Sequence, residues 1–483
     1  MKTHLKETQA PINSPLQQHV GLYTDHYELT MAQGYYLSGM AEVPAVFDYF
    51  FRKPPYGGSY AVFSGLGELL KLLQNFRFNE EDLTYLSGLG FDQKFLEWLE
   101  SFRFRGTVTA MKEGEVVFPY EPSIRIEGSI IETQLVETLV LNMINFESLI
   151  ATKAARIREV AGERALIDFG LRRAHGYGGI QASRAAVVGG FGQTSNVFSA
   201  YRYGLESTGT MAHSWIQSFD NELKAFREYA KHFPDACILL VDTYDTLNSG
   251  IPNAIRVGLE MEKRGENLAG IRLDSGDLAY LSKKARKMLD MAGLKGVKIF
   301  ASNQLDEHVV ASLLEQKAPI DGFGVGTALV TGKGAGALDG VYKLSMVNGK
   351  PTLKLSENRA KTTLPGKKTV YRYLDEKGIF QADAIALEGE SGFTSIHHPT
   401  EAGKEKNIAK YTAEKLTHQV MENGNLIAAP QTPKDIAAYS RSRLQQLSAE
   451  HKRLLFPHLY TTGITTGLLR LRDRLVQREP GKS

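Results

Sequence analysis

From Arg164 onward the sequence alternates short apolar runs with helical patterns, and this alternation limits the fold more than any other feature of the chain. The runs are Ala165–Phe169, Ala186–Gly189, Leu205–Met211, Ile238–Asp242, Gly270–Leu273, Val297–Ser302 and Gly322–Val325. Strands alternating with helices are the pattern of repeated β/α units around a parallel sheet. Between them Leu278, Leu281, Ala285, Met288 and Leu289 form one stripe, and Val309, Val310, Leu313 and Leu314 another. Such stripes are what a helix needs to cover a sheet. A closed (β/α) barrel takes about 250 residues and eight strands. The run here is shorter, so the expected fold is α/β with an irregular, partly open (β/α) barrel. An open doubly wound sheet is the alternative.

The flanks read differently. Before the alternation come strand candidates at Ala45–Phe51 and Thr107–Met111, a helix from Thr24 through Tyr36 and a long helix from Glu132 to Val160. After Gly340, Val341–Met346 and Thr352–Leu355 flank Asn348-Gly349, a strong hairpin signal with a slightly long loop. The expected domains are an N-terminal α+β domain over 1–160 completed by 340–400, the barrel over 161–339, and a mostly helical C-terminal extension over 401–483. Lys361, Lys367, Lys368 and Arg372 form a basic segment that reads as solvated. At 483 residues the chain is too long for one ordinary compact domain, which fits this division. Lys+Arg 57 against Asp+Glu 54 excludes a strongly basic nucleic-acid binder. Cys237 is the single cysteine, which excludes intrachain disulfides and cysteine-cluster metal sites. Its apolar setting reads as core. With a polar N-terminus and no long apolar run, a cytoplasmic location is expected.

The strand ends carry residues that are costly to bury. Asp168-Phe169-Gly170-Leu171-Arg172-Arg173 follows the first run. Asp242 ends the fourth, with Asp245 just beyond, and Arg272-Leu273-Asp274-Ser275-Gly276-Asp277 ends the fifth. Ser302-Asn303 ends the sixth, and Gly322 to Thr327 closes the series. In a barrel these C-terminal ends share one face, where active sites sit. Singly they have plain explanations: Asp277 as a helix cap, Asp168 as half of an ion pair. Together they suggest a ligand. Asp242 and Asp274 suit sugar hydroxyls, or Mg²⁺ through water. Arg172, Arg173 and Arg272 supply forked donors for an anion. Gly324, Gly326 and Thr327 offer backbone N–H groups to a phosphate. His213 precedes Ser214, which with Gln217 reads as a capping box; Trp215, Phe219, Leu223 and Phe226 then recur at helical spacing. An imidazole just outside a helix N-terminus sits where phosphate is welcome. It is a candidate phosphoryl acceptor; a surface histidine beside an ordinary cap is the plain alternative. The combination reads as a phosphorylated-sugar site with a further anionic partner.

As a set, TDHYELTMAQGYY from Thr24, DFGLRRAHG from Asp168, GTMAHSW from Gly209, RLDSGDL from Arg272 and FGVGTALVTG from Phe323 resemble the nicotinate phosphoribosyltransferase family. The likeness runs from about Gly21 past Arg372, with no comparable motif in the final part. The resemblance implies an irregular barrel beside an α/β domain. It also implies formation of nicotinate mononucleotide and pyrophosphate from nicotinate and 5-phosphoribosyl 1-pyrophosphate, with coupled ATP hydrolysis, Mg²⁺ on the pyrophosphate and a homodimer. Carried over by motif, His213 is the residue phosphorylated by ATP, Tyr27 and Phe169 sandwich the pyridine ring, and Thr210 and Arg272 contact nicotinate. Thr327 meets phosphate, Asp242 and Asp274 serve ribose and metal, and Arg172 or Arg173 meets an anion. Tyr27 would come from the neighbouring subunit. Nicotinamide-specific relatives carry an aspartate where Ser195 stands, so nicotinate is the expected base, unless Ser195 merely caps the helix after it. Use of nicotinamide, or a non-catalytic relative binding a phosphosugar, are the alternative readings.

Overall fold

The computed structural model describes residues 15–355, 363–401, 403–427 and 429–478, so Lys361 lies outside the described residues. The chain divides into two compact units, one spanning Lys153–Gly336 and the other formed by the described residues before it together with those from Ala337 on.

The middle unit carries a parallel six-stranded sheet. Its strands are β1 (Ala165–Asp168), β2 (Gln193–Thr194), β3 (Ile238–Leu240), β4 (Gly270–Leu273), β5 (Lys298–Ser302) and β6 (Gly322–Val325). They lie in the order β2-β1-β6-β5-β4-β3. The first strand therefore pairs with both the second and the last, as in a barrel, but β2 and β3 are not hydrogen-bonded and the sheet is not closed. Residues 205–211 fall between those two strands in the chain. The sequence reading made them a strand; they are irregular, tied to β2 by one bridge between Thr194 and Ser207. Their polar residues and Gly209 give no alternation for a ladder to use. A second correction concerns Ala186–Gly189, which is the end of the helix Gly178–Val188. A short buried apolar run reads the same in either state. Beneath β3, β4 and β5 a core of Leu239, Ile271, Leu273 and Ile299 packs on Ile251, Val257 and Leu289 from the covering helices. All of these are 0% exposed.

The second unit is built on two further sheets. One is antiparallel and seven-stranded, in the order Lys350–Pro351, Gly340–Val347, Pro44–Phe51, Ile124–Ser129, Thr107–Met111, Thr417–Glu422, Asn425–Leu426. The expected hairpin is present and tighter than anticipated. Met346 pairs with Pro351 and Val347 with Lys350, around Asn348 and Gly349 at φ 48° and 70°, the two left-handed residues of a type I′ turn. The other sheet runs Glu405–Asn407, Ser395–His397, Thr462–Ile464, Phe380–Leu387, Lys368–Leu374, Thr412–Lys415. The C-terminal part is thus not a mostly helical extension. It gives strands to both sheets besides the helices Pro433–Gln446 and Thr466–Gln477. Segments such as Thr412–Lys415 are polar and exposed at the sheet edge, so they carry no apolar signature.

The basic segment is not simply solvated either. Arg372 is 0% exposed and forks onto Asp383, with a further bond of 2.5 Å to Glu115. Lys368 is buried against Asp48 at 2.7 Å. Buried cations survive only with such partners. The helical stretch Ile130–Ala161 is apolar enough to cross a membrane by composition, but 72% of its most apolar window is buried in the protein, whose core accounts for it.

Candidate active site

The C-terminal ends of β1 to β6 bring together most of the residues singled out from the sequence. Asp168 ends β1 and is 1% exposed. It accepts from the Gly170 N–H at 2.8 Å and from the Ser183 and Thr194 hydroxyls at 2.7 Å each. Burial pushes its carboxyl up, and these three bonds pull the other way. The ion pair that is the plain alternative for Asp168 is not found among the described residues; Asp168 ties β1, β2 and the intervening helix through hydrogen bonds. Asn196 completes this cluster. Its amide donates to Gly179 and Ser183, and its oxygen caps the helix Val197–Tyr203 through the Ser199 N–H at 3.1 Å. The cap is therefore Asn196 and not Ser195, whose side chain is left half-buried.

Phe169 follows Asp168 and rests on Gly324 of β6. A Cβ at Gly324 would lie 2.4 Å from two carbons of the Phe169 ring. Gly324 therefore makes room for an aromatic ring and does not present its N–H to a phosphate; it is fully buried inside the strand, paired on both sides. A Cβ at Gly170 would meet Val330 at 2.0 Å, so this turn too requires glycine. Gly326 lies close to the Phe169 carbonyl and precedes the short helix Thr327–Val330, with Thr327 exposed at its first position.

Arg272 lies near the other face of this centre, its guanidinium carbon 5.8 Å from the Phe169 ring centroid. It donates to the Met211 carbonyl at 2.7 Å, which fastens the irregular 205–211 segment, while its Nε is buried without a partner. Burial lowers its pKa, Asp274 and Asp242 raise it, and the charge of Arg172 acts in the same sense as burial. Arg172 and Arg173 are both exposed on the turn Leu171–Arg173; Arg172 is the one whose charge is felt at this centre.

Asp242 follows β3 at 9% exposure. Its Oδ2 accepts from the Asp274 N–H and the Ser275 hydroxyl, both at 2.7 Å, whereas Oδ1 is buried with no partner. Asp274 follows β4. Its Oδ1 takes the Ser302 hydroxyl at 2.5 Å, and its Oδ2 is 3.8 Å from His213 Nε2. The other imidazole nitrogen, Nδ1, is hydrogen-bonded to the Thr243 hydroxyl at 3.0 Å. Three side chains, Asp242, Asp274 and His213, are thus each held on one side with an atom left toward the same centre.

The setting of His213 differs from the expectation. The helix there is only His213–Gln217, with His213 inside it, and its N-cap Ala212 provides no side-chain bond. Ser214 is exposed and forms no capping box. A separate helix begins at Glu222, capped by Asn221, because asparagine is a strong cap and alanine is not. The imidazole is placed by Thr243 and Asp274, not by a long helix dipole. Thr210 is half-buried beside Met211. Asp245 and Asp277 are helix caps. Tyr27 belongs to the other unit, on the helix His26–Leu37, and is 46% exposed with Met31 at 38%. Thr24 does not cap that helix; its hydroxyl goes to Glu28. Sequence reasoning missed Thr243, Ser275 and the role of Ser302. Their only signal was adjacency to the two aspartates and a strand end. No group of three or more His, Cys, Asp or Glu able to hold a metal occurs among the described residues.

Three family models cover most of the chain: the nicotinate phosphoribosyltransferase N-terminal domain over residues 22–145, the family model over 164–385 and the C-terminal domain over 367–472. The last covers the stretch in which the sequence showed no motif. Nicotinate phosphoribosyltransferase of Bacillus subtilis is 43% identical, over 92% of this chain and 93% of its own. One from Mycobacterium tuberculosis is 48% identical over 78% and 80%. The crystal structure of human nicotinic acid phosphoribosyltransferase superposes with a TM-score of 0.83 at 31% identity, over 94% of this chain and 99% of that one.

Proposed function

The chain belongs to the nicotinate phosphoribosyltransferase family, and we propose that the centre formed by His213, Asp242, Asp274, Arg272 and Phe169 is where it carries out that transfer, coupled to ATP. Phosphoribosyl transfer to nicotinate, in NAD salvage, is the function. The observation that carries the site assignment is a pair of unpartnered buried atoms of opposite charge, Asp242 Oδ1 and Arg272 Nε, at neighbouring strand ends. A buried charged atom without a partner is costly unless a ligand completes it.

In the reaction the bond from ribose C1 to pyrophosphate breaks and a bond from C1 to the pyridine nitrogen forms. Positive charge develops on the sugar and negative charge on the leaving group. The carboxylates of Asp242 and Asp274 suit the former, and Arg272 and Arg172 the latter and the nicotinate carboxylate. Phe169 offers a ring face to the base, Thr210 a hydroxyl beside it, and Gly326 and Thr327 a turn for phosphate. Mg²⁺ would be held through water by Asp242 and Asp274, together with the substrate phosphates. Two carboxylates with no further protein ligand suit an ion that keeps most of its waters, and when bound it would neutralise pyrophosphate charge. His213, through Nε2, would accept the γ-phosphoryl group of ATP, releasing ADP, and later lose it to water. The exposed Tyr27–Met31 face supports a homodimer in which Tyr27 completes the partner's site. The single, buried Cys237 suits a cytoplasmic enzyme.

Release of pyrophosphate on mixing nicotinate with 5-phosphoribosyl 1-pyrophosphate tests the assignment, run with wild type and Asp242→Asn. Undiminished release by the variant would remove Asp242 from the site. For ATP coupling, His213→Ala is expected to retain slow transfer but lose ATP stimulation; unchanged product per ATP consumed would end the phosphohistidine reading.

A further inference from the structure

We propose that Ser302 is a positioning residue for the transfer reaction: its hydroxyl fixes the Asp274 carboxylate so that Oδ2 alone is turned to His213 and the bound sugar. The inference rests on the reading of Asp274 as a residue of the phosphoribosyl site.

The sheet register brings the two side chains together. Ala301 of β5 lies opposite Leu273 of β4, and both are buried in the core. One residue further along, Ser302 and Asp274 project from the opposite face, side by side. The hydroxyl donates to Asp274 Oδ1 at 2.5 Å, a charge-assisted bond of the strong kind. Ser302 is 3% exposed. On its other side it pairs with Gly324, which has no side chain to take the hydroxyl. Immediately afterwards Asn303 and Gln304 adopt φ of +80° and +49°, left-handed values uncommon outside glycine. The strand ends there, with Ser302 its last residue. Asp242 cannot replace it as a partner, because its carboxylate is an acceptor with no proton to donate, and its Oδ2 already accepts from the Asp274 N–H and the Ser275 hydroxyl.

The Asp274 side chain is 35% exposed, so without the serine hydroxyl its carboxylate can rotate and be taken by water. A misplacement of about 1 Å in a reacting geometry costs on the order of 100-fold. Backbone and core contacts do not depend on the hydroxyl, so its loss is expected to change turnover more than stability.

The test is a cycle on the full-length enzyme: wild type, Ser302→Ala, Asp274→Asn and the double variant. The readouts are kcat and KM for 5-phosphoribosyl 1-pyrophosphate and thermal unfolding. Ser302→Ala is expected to lower kcat/KM by about 10- to 100-fold. In the Asp274→Asn background the same change is expected to alter it by less than about two-fold. Multiplying effects in the double variant would overturn the proposal. So would a Ser302→Ala enzyme with wild-type kcat/KM beside an impaired Asp274→Asn. An unimpaired Asp274→Asn would instead overturn the assignment of Asp274 to the site, and this proposal with it. Should the alanine variant fail to fold, Ser302→Thr and Ser302→Val compare near-isosteric side chains with and without the hydroxyl. Threonine retaining activity that valine loses supports the proposal, and equal loss overturns it.

Discussion

A single methyl group at Gly324 should impair nicotinate binding without touching any charged group of the site. The Cβ of Gly324→Ala would stand 2.4 Å from Cδ2 and Cε2 of Phe169, where ordinary contacts begin at 3.4 Å. The strand cannot yield, since Gly324 is paired to Ser302 on one side and Ile167 on the other. The ring must therefore retreat by about 1 Å. Overpacking of this size costs about 1–3 kcal/mol. Phe169 is only half-buried and has an open side, so the stability loss should fall near 1 kcal/mol. Binding should suffer more. With Phe169 as one wall of the base site, a 1 Å displacement raises KM for nicotinate by about 10- to 100-fold, or roughly 1.4–2.7 kcal/mol. KM for 5-phosphoribosyl 1-pyrophosphate, measured alongside, should change little. A second change, Phe169→Leu, relieves the clash and should restore the melting temperature of the alanine variant but not its affinity for nicotinate. A Gly324→Ala enzyme with wild-type KM for nicotinate would refute the reasoning, because the ring could then move without the base sensing it.

Ser195→Asp should weaken nicotinate far more than nicotinamide, since a second carboxylate beside the base repels only the acid; an unchanged ratio of kcat/KM for the two bases would clear Ser195 of any part in the choice. Chains carrying Tyr27→Ala and Asp274→Ala, each inactive, should regain activity on mixing if Tyr27 crosses between subunits; confirmed exchange without recovery would place the whole site within one chain. Burial pushes Glu28 up to about 7, with hydrogen bonds from Thr138 and Thr24 opposing and the charges of Glu137 and Asp25 adding to the rise. Its folded value lies above the unfolded one, so the stability it contributes is present below about 4.5 and is lost as pH rises through about 7. Glu28→Gln should flatten thermal stability across that interval, and an unaltered pH profile would show that Glu28 does not titrate there.

The sequence disclosed some elements and hid others for physical reasons. Gly322–Val325 was read to the residue because a parallel strand buried on both faces is a continuous apolar run, and Gly270–Leu273, interrupted by Arg272, because the polar residues after Leu273 mark its end. Gln193–Thr194 escaped because two polar residues carry no period, although the Thr194 hydroxyl holds Asp168 in place. The apparent capping box at Ser214 had the right residues in the wrong register. True boxes occur at Asn79–Asp82 and Ser129–Glu132, and only the backbone distinguishes them. Composition marked Asp168, Asp242 and Asp274 alike as costly to bury. It could not reveal that the first spends every bond on the fold while the other two each keep an oxygen free. That difference lies in hydroxyl partners 15 to 33 residues away in sequence.

The pairing of Pro44–Phe51 with Gly340–Val347 has a consequence for how the chain reaches its folded state. These strands are neighbours in the seven-stranded sheet, Ala45 opposite Val347, yet the whole of the Lys153–Gly336 unit intervenes between them in the chain. While that insert is unfolded, the two strands search for one another across a loop of about 300 residues, and closing it carries an entropic cost that grows with its length. Once the insert has folded, most of that loop is already compact, and what is left to close is the roughly 100 residues between Phe51 and Lys153 and the few between Gly336 and Gly340. The insert is well suited to come first, since each of its parallel pairs joins strands separated by no more than its own length. A core substitution such as Leu239→Ala, far from either strand in sequence, should therefore slow formation of the Pro44–Phe51 pairing, the long-range contact being late because it waits on the part of the chain that shortens its path.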